Sequence, residues 1–425
     1  MKYLFVLLFV ASGSISFSQN IDNIINTKEV NGIESVLASD EMRGRKTGTP
    51  DIDRAADFIS NEFKKAGLQT WDGKSFLQSF YLNRPKLIDE NGTIDGKELP
   101  ANEIIAITTK PDLLVNQDSG FEIRHINKGE NIFRSVQSIM ADSKNQLVFV
   151  DTSFAKLFPR LNGFKQMIFS SPVSVIFILG SYEPKIFDIK IRNQIEEIKL
   201  TNVVGVLPGK SKKDEYVIFS GHYDHLGIGR PENTDSIYNG ANDDAAGTTA
   251  VILLANYFRK LNNNERTLVF AAFTAEEIGG YGSRFFSKQF DPSKVMAMFN
   301  IEMIGTESKW GKNSAYITGF EKTNMGTILQ HNLEGSNFTF YPDPYTKENL
   351  FCRSDNATLA RLGVPAHTIS TSKMDSEPNY HKPSDEISTL DIQNMTEIIK
   401  AIALSSRSIV SGKDTPERVN TEELK

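Results

Sequence analysis

The stretch from Tyr216 to Gly247, YVIFSGHYDHLGIGRPENTDSIYNGANDDAAG, constrains the fold more than any other. An apolar run breaks at Gly221, and His222 and Asp224 follow two residues apart, as expected of a strand that delivers a metal ligand at its end. About twenty residues later, Asn242-Asp243-Asp244 stands directly before an amphipathic segment in which Ala246, Val251, Leu254, Ala255, Phe258 and Leu261 mark one helix face. A second carboxylate therefore lies where loop turns into helix. Nothing in the stretch resembles a phosphate loop or a serine-nucleophile elbow, and a hydrolytic metal centre is the chemistry it suggests.

The chain after Thr201 keeps alternating strand and helix. Val203 to Leu207, Tyr216 to Ser220, Thr267 to Phe273, Met296 to Met303 and Val364 to Ser370 read as strands, with a closing helix near Leu390 to Ser408. This pattern predicts an α/β three-layer sandwich, with a central mixed, largely parallel sheet flanked by helices. Residues 27–68 are helical in pattern and contain a charged, glycine-rich loop, LASDEMRGRKTGTP, read equally as a solvated connector or as a brace for the active site. Arg45 and Lys46 in that loop look exposed. Between about Ser79 and Leu200, short apolar runs alternate with polar turns, which predicts a mostly β inserted region of lid or protease-associated type. We place the insertion at 86–200, the catalytic domain at 19–85 and 201–411, and a polar tail, expected to be mobile, at 412–425.

At 425 residues the chain can bury a large core and still carry an insertion. A formal net charge of -6 leaves no basic footprint, so no nucleic-acid partner is expected. Residues 1–18, MKYLFVLLFVASGSISFS, have one lysine, a short apolar run and small residues before a cut after Ser18. That is the pattern of a signal peptide, too short in its apolar part for the roughly 20 residues of a membrane span. A secreted or periplasmic protein without a stable membrane anchor is expected. Cys352 is the single cysteine, which rules out an internal disulfide.

Ligands of open α/β sheets lie beyond the carboxyl ends of the strands, and the candidate residues fall there. His222 and Asp224 follow one strand, Glu276 and Glu277 follow a second in FAAFTAEEIGGYGS, and Glu302 ends a third in VMAMFNIEMIG. Asp243 opens a helix, and Tyr380 and His381 lie in NYHKPSDE before the last helix. Imidazole and carboxylate donors without thiolate suit zinc, and this many carboxylates suit a pair of zincs that share a water and a bridging carboxylate. One of two adjacent glutamates can bind metal while its neighbour takes the proton. Each residue also has a plainer use: Asp243 as a helix cap, Glu276 and Glu277 as a solvated helix start, Tyr380 as packing, Ser354 and Asp355 as a turn. His125, His225, His331 and His367 are read as structural.

GHYDHLG, GANDDAAG, TAEEIGGYGS, FNIEMIG, SDNATLARLGVPA and YHKPSDE, in this order and spacing, resemble the secreted di-zinc aminopeptidases of peptidase clan MH, whose relatives include glutamate carboxypeptidase II and the glutaminyl cyclases. The resemblance covers about residues 33–85 and 202–408. It implies His222 and Glu302 on one zinc, Glu277 and His381 on the other, and Asp243 bridging them. It further implies Asp224 behind His222, Glu276 as general base and Tyr380 as a donor to the oxyanion. The family usually has aspartate where this chain has Glu302. The implied activity is a zinc metalloprotease that removes N-terminal residues from peptide substrates. Alternatives are a carboxypeptidase or dipeptidase of the same family, or a glutaminyl cyclase-like single-zinc acyltransferase.

Overall fold

The computed structural model describes residues 21–424, and the signal-peptide reading of 1–18 falls outside them. The chain forms two compact units, one from residues up to Gln78 together with those from Thr201 onward, the other from Ser79–Leu200.

The first unit is built on a sheet whose middle four strands are parallel. Arg266–Phe273, Lys212–His222, Val295–Ile301 and Ala366–Ser370 lie side by side in that order. Residues 203–207 pair antiparallel with Arg266–Phe273 at one side, and Ser314–Ile317 pairs antiparallel with Ala366–Ser370 at the other, followed by Thr339–Pro342. The sheet is therefore mixed but largely parallel, as the strand–helix alternation predicts.

Both faces of this sheet are covered, which explains why its strands read as continuous apolar runs. Val217, Phe219, Leu268, Phe270 and Phe299 share one core with Ile59 of helix Pro50–Ala66, Val251 and Leu254 of helix Ala246–Leu261, and Ile398 of helix Ile392–Ser405. The alternate residues Ile218, Val269, Ala271, Phe273 and Met298 enter a second core with Phe286 and Leu359, from helices Tyr281–Ser287 and Asn356–Ala360. A period of two along each strand thus feeds two helical layers. Phe219 stacks against Phe258, Phe270 and Phe299, with ring centroids 5.4, 5.6 and 4.9 Å away.

Two elements differ from expectation. Arg45 is fully buried, and its guanidinium donates to the carbonyls of Leu37, Tyr223, Asn239 and Gly240. The early loop is thus a brace, which charge alone could not reveal because the partners are main-chain atoms, three of the four far away in sequence. The polar tail is docked rather than loose: Arg266 donates to the Asp414 carbonyl, the Val419 amide to the Gly363 carbonyl, and Arg418 to the Val295 and Pro292 carbonyls. Val419 is buried in the second core.

The second unit holds a four-stranded sheet in the order Ile104–Ile107, Val175–Leu179, Gln146–Val150, Glu122–Ile126, with the last three parallel. Helix Ile132–Ala141 and Phe158 pack on one face, and Phe187, Ile189 and Ile191 of strand Phe187–Leu207 pack on the other. Among the described residues, no helix is long and apolar enough to cross a membrane.

Candidate metal centre

Three parallel strands end at the same edge, and two of them turn sharply there. After Phe273 the chain enters the left-handed region at Ala275 (φ 61°), after Ile301 at Met303 (φ 53°), and His381 itself has φ 56°. Non-glycine residues adopt this conformation rarely, and it concentrates at functional sites. Here it aims Glu276, Glu277, Glu302 and His381 at a common point.

His222 Nε2 lies 3.2 Å from Asp243 Oδ1, and Glu302 completes a group of three with them. His381 Nε2 lies 3.3 Å from Asp243 Oδ2 and 3.1 Å from Glu277 Oε2. The two oxygens of Asp243 thus face two different histidines. Ligand atoms about 2.0–2.1 Å from a tetrahedral ion stand roughly 3.3 Å apart, which matches these separations. His222 Nε2 is buried and, although 3.2 Å from Asp243 Oδ1, makes no well-formed hydrogen bond, and such an atom is costly unless something binds it. The donor set is imidazole and carboxylate throughout, as zinc prefers. The residues fit a zinc centre.

His225, read as structural from sequence, belongs to the same cluster. It is fully buried, with Nδ1 2.7 Å from Glu277 Oε1 and 3.9 Å from Asp243 Oδ2. The signal was its place inside GHYDHLG, directly after Asp224. The other three histidines stand apart: His367 is locked between Thr318 and Thr323, His331 pairs with Glu334, and His125 faces Glu183 in the second unit.

Asp224 does more than stand behind His222. Its carboxylate is 3.8 Å from His222 Nδ1, whose nearer partner is the Asp224 carbonyl at 3.1 Å. The carboxylate oxygens instead accept the amides of Glu276 (3.0 Å) and Glu277 (3.3 Å) and the hydroxyl of Thr47 (3.1 Å). One side chain thereby ties together two strand ends and the early loop.

Asp244, beside Asp243, holds main-chain amides. It accepts the amides of Gly247, Met303 and His222, at 2.9, 3.1 and 3.2 Å. Gly247 is required by close approach, since a Cβ there would strike the Ile301 carbonyl and the Asp244 carboxylate. Asp385, which sequence reasoning missed, accepts the amides of Asn242 (2.8 Å) and Asp243 (3.0 Å) and so fixes the loop that carries Asp243. Its signal was the motif YHKPSDE, four residues after His381.

Glu276, Tyr380 and Ser354 line the cavity that also contains Asp243, Glu277, Glu302 and His381. Ser354 hydrogen-bonds Glu302, whereas Asp355 is fully buried. Burial pushes the Glu276 carboxyl well above the ordinary range, helped by Glu302, Asp355 and Asp224 and opposed by His222. Burial also raises Glu302. At His381 burial disfavours the charged ring, but hydrogen bonds to Asp243 and Glu277 outweigh it and lift its pKa to about 10. The Tyr380 phenol, stacked on His381 with centroids 3.9 Å apart, is pushed up by burial and the nearby carboxylates and stays protonated. So many carboxylates in one buried place make a site strongly attractive to cations.

Fold and site together define a class: a three-layer α/β protein with a buried imidazole–carboxylate cluster of metal-ligand type beyond the carboxyl ends of its parallel strands. Residues 202–405, a little under half of the chain, match the model of Peptidase family M28. It is 28% identical over 219 residues to a probable leucine aminopeptidase of Trichophyton verrucosum, an alignment covering 50% of this chain and 57% of that one. The chain thus spans a little over half the length of that relative. The fold is shared with an aminopeptidase from Aneurinibacillus sp. strain AM-1 (18% identity, 92% and 95% of the two chains, TM-score 0.55). It is shared equally with a zinc aminopeptidase from Bacillus subtilis (16% identity, 91% and 95%, TM-score 0.56).

Proposed function

We propose that this protein is an exported zinc-dependent aminopeptidase that hydrolyses N-terminal residues of peptides. The observation that carries the reading is Asp243, whose two oxygens face His222 on one side and His381 on the other. His222, Asp243 and Glu302 would hold one zinc; Asp243, Glu277 and His381 would hold a second, with His225 beside Glu277. Zinc bound there supplies Lewis-acid polarisation of the scissile carbonyl and lowers the pKa of a water towards neutrality.

The protein's own residues do the rest. Glu276, half-buried on the cavity wall with a raised carboxyl pKa, takes the proton of the attacking water and passes it to the leaving amine. Tyr380, kept protonated, donates a hydrogen bond to the oxyanion. Asp224 holds the amides of Glu276 and Glu277, so base and ligand stay in register with each other. Met303, Tyr316, Leu350 and Met374 give the cavity an apolar side that suits the side chain of the N-terminal residue. Glu302 takes the position where relatives usually carry aspartate, and its hydrogen bond from Ser354 orients the longer side chain. Residues 1–18 supply the export signal, which places the enzyme in the periplasm or outside the cell.

The test is hydrolysis of a tripeptide with a free N-terminus, compared with the same peptide acetylated, before and after chelation. Chelator-sensitive release of the first residue from the free peptide alone supports the reading. Release from the C-terminus instead, or cyclisation of an N-terminal glutamine without hydrolysis, overturns it.

A further inference from the structure

A second groove, of about 500 Å³, opens on the far side of Glu276. Its walls are helix Tyr281–Ser287 and helix Asn356–Ala360, linked across the floor by the Ser287 and Thr358 hydroxyls 2.7 Å apart. Glu276, Arg353 and Ser354 line both this groove and the catalytic cavity, so the two are continuous. None of His222, Asp243, Glu277, Glu302 or His381 lines the groove.

That placement assigns a direction to the substrate. The metal-ligand cluster and the apolar side of the first cavity lie before Glu276, and Glu276 hands its proton to the leaving amine. The leaving part of the peptide therefore runs past Glu276 into the groove. Its lining carries Arg284, Lys288, Arg353 and Arg361, against a single carboxylate, that of Glu276. Arg353 lies 3.6 Å from Glu348, the Arg361 guanidinium is held near the groove by the Cys352 carbonyl, and Arg284 leans over the Tyr281 ring. All four basic residues are exposed, so substrate can reach their heads.

We infer that this groove binds a carboxylate on the leaving side of the substrate, and that the enzyme prefers short peptides with a free C-terminus or peptides with an acidic residue just beyond the scissile bond. The inference rests on the aminopeptidase reading. A cationic groove gains from a carboxylate through charge-assisted hydrogen bonds, and a neutral amide of the same shape forgoes them.

The experiment compares kcat/KM for Leu-Gly-Gly with its C-terminal amide, and for Leu-Asp-Gly-amide with Leu-Asn-Gly-amide, with leucine p-nitroanilide as a leaving group lacking any carboxylate. The acid of at least one pair is expected to be cleaved about tenfold faster than its neutral partner. Preference in the first pair identifies the C-terminal carboxylate as the source, and preference in the second an acidic side chain. The ratio should fall towards one in 0.5 M salt and in the double variant Arg284→Gln, Arg361→Gln, each rate being normalised to that variant's own rate on the anilide. Equal rates within both pairs while the anilide is hydrolysed overturn the inference and leave the aminopeptidase reading standing. A ratio above one that survives both salt and the double variant also overturns it. Failure to hydrolyse the anilide and all four peptides overturns both.

Discussion

The carboxylate of Asp385 holds the main chain of Asp243 in place, with Oδ2 accepting the Asp243 amide at 3.0 Å and Oδ1 the preceding amide at 2.8 Å. Because Asp385 follows His381 by four residues, one loop supplies both a candidate ligand and the support for the residue that would bridge. Outer partners of this kind typically cost 10- to 100-fold in metal affinity when removed. Asp385→Ala is therefore expected to weaken zinc binding by that order in competition with a chelator while circular dichroism stays native. Unchanged affinity would mean that the loop is positioned by other contacts.

Glu276 is expected to act on protons rather than on metal. Glu276→Gln keeps the shape of the side chain and removes its basicity, so kcat should fall by roughly 10²- to 10⁴-fold. Zinc content should not change. A variant that loses zinc instead would exchange the roles of Glu276 and Glu277.

Arg45 serves the site from beneath. Its guanidinium satisfies four carbonyls, two of which, Asn239 and Gly240, lead into the segment that carries Asp243. Arg45→Ala removes a donor from each of those buried carbonyls; Gly240's keeps the Ala245 amide, and each one left unpaired costs about 1–3 kcal/mol where water cannot enter. Urea unfolding is expected to show a loss of about 3–5 kcal/mol, larger than for Arg54→Ala on the exposed face of helix Pro50–Ala66. Equal effects would show that the brace contributes nothing particular.

How much of this was legible in the sequence follows from the range of the forces involved. Strand ends carrying His222, Glu276, Glu277 and Glu302 were readable because apolar periodicity is local and the ligands sit where each period stops. The mixed sheet was readable from alternation of strand and helix. Arg45, Asp385 and the docked tail were not, because nearly all their partners are backbone groups distant in sequence, 195 positions for Arg45 to Gly240 and 143 for Asp385 to Asn242. His225 was readable only as part of its motif, since one histidine has no periodicity. Asp224 was assigned to His222, but its carboxylate chiefly holds two amides that spacing could not reveal.

Stability should depend on pH through Glu34, which is not among the candidate ligands. It is fully buried between helices Thr27–Leu37 and Ala246–Leu261, where it accepts a hydrogen bond from Thr249 at 2.7 Å. Burial pushes its pKa from 4.5 up to about 8, against the opposing influence of Thr249 and Arg45. The folded state thus holds this proton more tightly than the unfolded chain. The stability it contributes is complete below pH 4.5 and is lost as pH rises through about 8. Between those limits wild type should lose up to about 1.4 kcal/mol per pH unit relative to Glu34→Gln, which cannot ionise. Parallel stability–pH curves for the two proteins would place Glu34 outside this account.

The most direct test of the central claim is zinc stoichiometry on the purified protein, set beside the same measurement on Asp243→Ala. Two zincs per chain in the wild type and loss of both in the variant are the predicted result, because Asp243 is the one residue that faces both histidines. One zinc or none in the wild type, or a variant that retains two, would contradict the bridging role from which the proposed function is built.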